Sequence, residues 1–564
     1  MTTKILLFLL IIISITALSV IDVKAQIENV PLEDPVYKFL KEMTVKRIID
    51  DYVDDDPNLS RFQVAGMLKT MYKKKSQLSR TEIEILKKYM IEFVPEELNN
   101  KTTTSLFGGN TGASDGIKGL ITDKQKYLFA YQKNDNNIFI NTIGNLYYVN
   151  GIKPTVKSNA WLFDGGLDFR GSLFNKIGYN LSVLKGGAAG DSVLIESAYP
   201  PIKATFKYVE NIENITNYDF TNGYLKFYTE PAEGMDLAVQ IGREKLVYGY
   251  GYSKRLALSG DAPNMDFLKF MFKYGVINYS SVYGSTVGEY NPDRDLRYTK
   301  YFSANRLTIS LDNLFNVGIG ETIISSRGIE FGYLNPLLFY KFAEMSLQDR
   351  DNGTLFFDMQ THFLKDLELQ GTFFLDENIL SNLSDLEKQT NKTAYQLGLY
   401  WYEPIGFENF SLIFEYTKIR PYVYTHFDPE NRYTAFGVIL GHPIGPNADQ
   451  LFLKMNYNFS SRVSANLELQ KVRKGENIYN SEGELVFNAG GSVFDTFVAD
   501  RDSDKAYFLD GIRVNDYSVR LNVVYEPLLN YTFDFNYVYN ISKNLTYGNN
   551  TDQSFAYVRF NLGY

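Results

Sequence analysis

From about residue 120 onward the chain alternates apolar and polar positions with a period of two. In Tyr531–Tyr539 the odd positions are Tyr, Phe, Phe, Tyr and Tyr, separated by Thr532, Asp534, Asn536 and Val538. In Tyr517–Tyr525 they are Tyr, Val, Leu, Val and Tyr, opposed by Ser518, Arg520, Asn522 and Val524. Side chains of a strand point alternately to its two faces, so each stretch has one apolar face ending in aromatics and one polar face. A lipid-facing wall with interfacial aromatics and a wet lumen accounts for both faces. The same alternation recurs near 137–149, 158–170, 218–229, 267–288, 297–311, 355–375, 394–417, 433–441, 450–458 and 463–472. It predicts roughly 16 to 20 strands, and about 18 fits the even numbers of bacterial barrels.

Before this region the period is helical. Val36, Phe39, Leu40, Met43, Ile48, Ile49 and Tyr52 mark one face. Ser60-Arg-Phe-Gln63 and Ser79-Arg-Thr-Glu82 are capping boxes that open two further helices. Asn99–Gly119, rich in Thr, Asn, Gly and Ser, reads as a linker. At the start, Lys4 precedes an apolar run from Ile5 to Ile21, and Val23-Lys24-Ala25 has the shape of a cleavage site. The expected organisation is a signal peptide (1–25), a periplasmic helical bundle (26–98), a linker (99–120) and an outer-membrane barrel (121–564). The expected fold class is therefore an all-β transmembrane β-barrel with a small N-terminal α-helical domain. The final stripe of Ala556, Val558, Phe560, Leu562 and Tyr564 resembles the signal read by the barrel assembly machinery. Outer-membrane lipid and that machinery are the expected partners in biogenesis.

Composition changes the picture in three places. The chain carries 43 Tyr and 41 Phe but 2 Trp, so its aromatic girdles are built from Tyr and Phe. It has no Cys, which excludes disulfides and a lipoprotein anchor. A net charge of −9 argues against nucleic-acid binding. The His residues are His362, His426 and His442, and none sits in a nucleophile motif or at metal-ligand spacing. No enzyme activity, metal or cofactor is expected.

The stretch Gly242–Asp266 breaks the alternation. It ends a strand at Leu237–Gly242, runs through Tyr248-Gly-Tyr-Gly-Tyr252 among Arg243, Lys245, Lys254 and Arg255, and closes with Asp261 and Asp266. It is too polar for lipid, which predicts a segment folded into the lumen or across an opening. Arg243, Tyr248, Tyr250, Tyr252, Arg255, Asp261 and Asp266 combine aromatic faces with planar polar groups, as sugar sites do. The alternative is a structural constriction whose Arg and Asp pair with each other. Longer loops are expected at Gly186–Asn217, Asn335–Arg350 (with a short helix) and Lys474–Gly511.

Three stretches carry a resemblance: Gly242-Arg243 through Leu258-Ser-Gly-Asp-Ala-Pro263, Glu330–Phe342 with Tyr333-Leu-Asn-Pro-Leu-Leu338, and Leu440-Gly-His-Pro-Ile-Gly-Pro-Asn447. Together they resemble the capsule assembly Wzi family of outer-membrane proteins in its Bacteroidetes-like form. The resemblance implies a barrel of about 18 strands, a periplasmic helical bundle and a role in attaching or exporting surface polysaccharide, with surface (gliding) motility as a variant. A diffusion porin or small-solute transporter is the competing expectation.

Overall fold

The structure, a computed structural model, describes residues 26–50, 52–94, 103–107, 116–154, 158–210, 217–311, 314–376 and 385–563. The expected leader, much of the expected linker and the terminal Tyr564 lie outside the described residues.

Among the described residues, eighteen antiparallel strands close into a barrel. They are β1 (Asn136–Lys153), β2 (Asn159–Leu173), β3 (Ile177–Gly190), β4 (Tyr218–Ala232), β5 (Met235–Glu244), β6 (Met265–Tyr274), β7 (Ile277–Val287), β8 (Thr299–Leu311) and β9 (Phe315–Ser325). There follow β10 (Asn352–Thr361), β11 (Leu367–Asp376), β12 (Thr393–Tyr402), β13 (Phe410–Ile419), β14 (Ala448–Asn458), β15 (Val463–Glu476), β16 (Ile512–Leu528), β17 (Tyr531–Asn544) and β18 (Asn550–Gly563). Each pairs with the next in sequence, and β18 closes the circle on β1 through Tyr557↔Val149 and Gly563↔Ile143. A short strand, Phe129–Lys133, extends the start of β1 beside that seam.

The alternation read from the sequence is the wall itself, except near 433–441, which lies in the connection between β13 and β14 and forms a separate two-stranded hairpin of Thr434–Ala435 and Val438–Ile439. Leu225, Ile241, Leu268, Val317, Leu397, Phe414, Leu521 and Phe535 are exposed on the outside, whereas Lys226, Lys269, Arg306, Glu368 and Glu415 are buried inside. Exposed large apolar side chains over buried charges are the reverse of a water-soluble domain and suit a wall surrounded by lipid. No helix among the described residues is long and apolar enough to cross a membrane, so the strands do the crossing.

Three helices precede the barrel: α1 (Val36–Val45), α2 (Arg61–Lys73) and α3 (Arg80–Phe93). Both capping boxes form. The Glu82 backbone N–H donates to Ser79 Oγ at 3.2 Å, and the Ser79 N–H donates to Glu82 Oε2 at 2.6 Å. The apolar faces meet in one core of Val36, Leu40, Met43, Val64, Leu68, Leu86 and Phe93, joined by Tyr400, Tyr402, Ile413 and Phe452 of the barrel wall. Sharing a core with the wall places the bundle inside one mouth of the barrel. The turns at that mouth are short; the other end carries the long connections 245–264, 326–351, 420–447 and 477–511. The stretch expected to be irregular from Gly186 differs in part: β3 runs on to Gly190, and two short helices follow, α4 (Ser192–Ala198) and α5 (Phe206–Glu210). A last short helix, α6 (Tyr340–Ser346), lies within the predicted 335–350 loop.

Candidate functional site

The connection between α1 and α2 carries Asp54-Asp55-Asp56 into the lumen, where each carboxylate meets a buried cation. Asp55 Oδ2 accepts from Arg306 Nε at 2.7 Å, and the other face of that guanidinium holds Asp358 through two bonds of 2.9 and 2.7 Å. Asp54 lies 2.9 Å from Lys41, which also reaches Glu368 at 2.6 Å. Asp56 Oδ1 accepts from Lys269 Nζ at 2.6 Å, and that lysine is fully buried. Burial alone would raise the Asp54 carboxyl, but Lys41 and the Gln360 amide outweigh it and hold Asp54 below the usual carboxylate range. Further contacts continue around the circumference. Arg170 on β2 pairs with Glu28 at 3.1 Å, and Lys226 on β4 donates to Asn29 and Ser60 at 2.7 Å each. Lys46 bridges Glu82 and Glu403 at 2.8 and 2.9 Å, and Lys88 holds Glu526 at 2.7 Å. The bundle is a plug riveted to the wall by ion pairs rather than a free appendage.

The loop 245–264 enters from the opposite end and meets the plug. The Gly249 N–H donates to Asp55 O at 3.1 Å. Gly249 has φ +91°, a left-handed conformation that a side chain would strain. A Cβ at Gly251 would stand 2.4 Å from Lys254 O. The Gly-Tyr repeat thus folds the backbone tightly while packing one ring after another. Tyr248 and Tyr250 are fully buried, with Lys269 Nζ 5.3 Å from the first ring and the Arg306 guanidinium 5.4 Å from the second. Burial pushes both phenols well above their ordinary range, so they stay neutral. Tyr252 OH donates to Glu368 at 2.7 Å, and the Tyr252 and Ser253 N–H groups donate to Glu415 at 2.7 and 2.9 Å. Arg255 Nη2 donates to Asp54 O at 2.6 Å.

The seven residues singled out in the sequence therefore fall into three places. Tyr248, Tyr250, Tyr252 and Arg255 form the junction of loop and plug. Asp261 pairs with Lys254 at 2.5 Å on the more open part of the loop. Arg243 and Asp266 pair with each other at 2.5 Å, but on the outer side of the wall, in line with Ile241 and Leu268. The structure does not bring that last pair to the others.

The lumen beside the junction stays polar and open. Asn456, Asn466, Asn522 and Asn536 stand opposite one another on β14 to β17, and Tyr557 on β18 ends the row. Asn466 Nδ2 donates to Asn522 at 2.8 Å, and Asn522 Nδ2 donates to Asn536 at 3.1 Å. One register step away, Arg520 is exposed opposite Glu468, which also pairs with Lys454 at 2.7 Å and feels the charge of Lys254. Carboxamides that present donor and acceptor in one plane, with an arginine fork and a phenol ring, match the paired hydroxyls and flat faces of sugars. The sequence placed Arg520, Asn522, Asp534 and Asn536 on the polar faces of their strands. It gave no sign that the amides fall in one row, because that depends on register between strands.

The one Ser–His approach at the site among the described residues, Ser253 and His442, does not form a triad. Ser253 Oγ lies 3.4 Å from His442 Nε2 but also donates to Glu415, and His442 Nδ1 faces the Ile444 N–H at 3.4 Å. No carboxylate orients that imidazole as a triad requires. Among the described residues no group of three or more His, Cys, Asp or Glu is placed to hold a metal.

A closed antiparallel wall, apolar outside and charged inside, with a helical plug in one mouth, defines an outer-membrane β-barrel protein. The model of the family described as capsule assembly protein Wzi matches residues 195–551, and the chain belongs to that family. Among solved structures it is similar to Wzi of Escherichia coli, at 11% identity and a TM-score of 0.54, covering 94% of this chain and 98% of that one. OprD of Pseudomonas aeruginosa aligns over 76% of this chain and 94% of its own at 9% identity, with a TM-score of 0.43. A comparison with curated protein sequences finds no match.

Proposed function

We propose that the protein binds surface polysaccharide in the outer membrane as part of capsule assembly, and that it does so without conducting. The E. coli structure is described as an outer-membrane protein involved in group 1 capsule assembly and as a carbohydrate-binding barrel. The observation that carries the proposal here is the pairing of a riveted plug with an open amide row. Ion pairs to Arg170, Lys269, Arg306 and Glu526 hold the plug across the lumen, while Asn466, Asn522, Asn536, Arg520 and Tyr557 face it beyond the plug, placed for sugar hydroxyls and acidic groups. Of the residues first singled out, Asp261 with Lys254 belongs with this row. Tyr248, Tyr250, Tyr252 and Arg255 act by holding the loop against the plug. Short turns face the periplasm in such barrels, so the plug closes the periplasmic mouth and the long loops meet the cell surface. The C-terminal stripe serves the assembly machinery, and the outer wall sits in lipid. The reading is one of binding rather than catalysis. Surface motility draws no support from the comparisons.

Retention of extracted capsular polysaccharide on the immobilised, refolded protein tests this. Replacing Arg520 with Ala removes a charged hydrogen-bonding group and is expected to weaken binding about tenfold or more. Unchanged binding by both Arg520→Ala and Asn522→Ala would move the site out of the lumen. Steady, large single-channel currents in a planar bilayer would instead favour the porin alternative.

A further inference from the structure

On three neighbouring strands of the wall the outward positions carry the wrong chemistry for lipid. Ser281 on β7 stands opposite Asn305 on β8, which stands opposite Glu321 on β9, all in the middle of their strands. The residues flanking this track, Phe270 on β6 and Leu355 on β10, are apolar. A bare carboxylate on a lipid-facing wall is unfavourable, and such residues occur where something covers them. Here the cover is the connection 326–351. It leaves the long-loop end, turns down the outside of the barrel and lies across the track. The Tyr340 and Lys341 N–H groups donate to the two oxygens of Glu321 at 2.7 and 3.0 Å. Asn305 Nδ2 donates to Leu338 O at 2.8 Å, Ser281 Oγ lies 3.1 Å from Tyr340 OH, and Tyr279 OH donates to Pro336 O. Tyr333 and Tyr340 pack on Ile323, beside Tyr283, to complete the inner face. Gly353 leaves room for the Glu344 carboxylate, which would otherwise be 2.5 Å from a Cβ.

The outer face of the same segment is apolar. Phe331, Leu337, Leu338, Phe339, Phe342 and Met345 are exposed, Leu337 at 88% and Phe342 at 67%. Lys341, between them, is turned aside onto Glu344 at 2.5 Å. Arg327 is exposed where the connection leaves β9, and Gln348, Asp349 and Arg350 where it climbs back to the rim before β10. Between them Asn335 and Ser346 are exposed but turned onto the local backbone, Asn335 Oδ1 accepting from the Leu337 N–H at 3.1 Å and Ser346 Oγ donating to Phe342 O at 3.0 Å.

We propose that residues 331–345 are a lipid-embedded strap: the segment lies against acyl chains on the outside of the barrel and seals the Ser281–Asn305–Glu321 track from the bilayer. Its apolar side continues the lipid-facing wall, of which Val317, Phe357 and Met359 are exposed members on the strands beneath it. The carbonyls of Pro336 and Leu338 and the N–H groups of Tyr340 and Lys341 pair with the wall, leaving Asn305 Oδ1 without a partner among the described residues, and pairing of this kind is what irregular chain at membrane depth needs. A second copy of the chain is the other occupant for such a face, and the experiment separates the two. The proposal depends on the barrel's place in the membrane, not on polysaccharide binding.

The chain lacks cysteine, so single-cysteine variants report one site each. Phe342→Cys and Leu337→Cys, labelled with nitrobenzoxadiazole and refolded into phosphatidylcholine vesicles, are compared with Tyr547→Cys on the β17–β18 loop, where the ring is exposed. Spin-labelled lipid carrying its nitroxide in mid-chain is expected to quench the probes at 337 and 342 several-fold more than aqueous iodide does. The probe at 547 should show the opposite preference. Iodide quenching at 337 and 342 equal to that at 547 would place the segment in water and overturn the proposal. So would protection from both quenchers together with oxidative cross-linking of Phe342→Cys between copies, which would make the face a subunit interface. Two probe positions guard against one variant failing to fold.

Discussion

Replacing Asp56 with Ala removes the carboxylate that faces Lys269. That lysine is fully buried on β6, its Nζ lies 2.6 Å from Asp56 Oδ1 and 5.3 Å from the Tyr248 ring, and it also feels the charges of Glu244 and Lys226. Gross attraction at 2.6 Å amounts to about 6 kcal/mol at an effective dielectric of about 20. Breaking a buried pair by removing one partner costs roughly 3–5 kcal/mol after relaxation. Asp56 also lines a cavity of about 540 Å³ between plug and wall, shared with Asn58, Lys226 and Arg306. Water admitted there softens the loss, so we expect the lower end, about 3 kcal/mol. Because the plug is held by several other pairs, the cost appears as local opening. Hydrogen exchange of residues 53–58, followed by mass spectrometry in nanodiscs, should accelerate roughly a hundredfold. Adding Lys269→Met removes the stranded charge and fills its space, and the double variant should return to within about 1 kcal/mol of the parent. A single-variant effect of less than about 1 kcal/mol, the size of a surface pair, would refute the reasoning. So would a double variant as loose as the single.

Three other outcomes follow from the same geometry. A Cβ at Gly398 would lie 2.7 Å from two ring carbons of Tyr252, so Gly398→Ala should cost about 1–3 kcal/mol and lower the urea midpoint without changing the slope. His442 is pushed down to about 3 by burial and by the charge of Lys254, and it is neutral in the folded loop 420–447. The unfolded histidine takes its proton near 6.5; stability is therefore full above that pH and falls by about 1.4 kcal/mol per unit as pH drops toward 3. Hydrogen exchange of 420–447 at pH 7 and pH 5 reads this, and an equally steep acid response in His442→Gln would count against it. Replacing Asp54, Asp55 and Asp56 together with Asn should produce intermittent bilayer currents from an otherwise silent protein; continued silence would show that the loop 245–264 seals the lumen alone.

The wall was legible in the sequence because its signal is local. Two side-chain environments alternate along each strand, and Tyr517–Tyr525 and Tyr531–Tyr539 display them without reference to any other part of the chain. The same is true of Ser60 and Ser79, whose capping boxes close within one turn. Arg243 shows how a local rule is lost at a boundary. It stood next to a run that goes into the lumen and was grouped with it, yet strand parity continues through Glu244. Ile241 faces outward, so Arg243, two residues on, does too, and its partner Asp266 follows from the pairing Arg243↔Asp266. Asp54-Asp55-Asp56 illustrates the opposite limit. Three successive acids carry no local signal, and nothing nearby announces that their partners are Lys41, Arg306 and Lys269. Glu321 is similar, since a lone carboxylate within an alternating strand gains meaning only once a distant connection is seen to lie over it.

The silence of the plug acids in the sequence has a physical cause. In a barrel the interior is polar and the exterior apolar, so a plug entering the lumen has little apolar surface to bury beyond the patch at Tyr400, Tyr402, Ile413 and Phe452. What fixes it is charge, and the geometry fixes it in one orientation. Arg306 binds the plug through Nε and the wall through both terminal nitrogens, and Lys41 joins the plug carboxylate Asp54 to the wall carboxylate Glu368. An apolar plug would slide or rotate at small cost; a plug held by directional, desolvated pairs has one seat. That seat also positions the loop 245–264, because Asp55 O and Asp54 O accept from Gly249 and Arg255. The loop in turn presents Lys254 toward Glu468 at the edge of the amide row. The three acids at the head of the plug thus set the shape of the surface proposed to bind sugar on the far side of the lumen. Asp56→Ala should therefore disturb polysaccharide binding only as far as it loosens the loop, whereas Arg520→Ala weakens binding with the plug still in place.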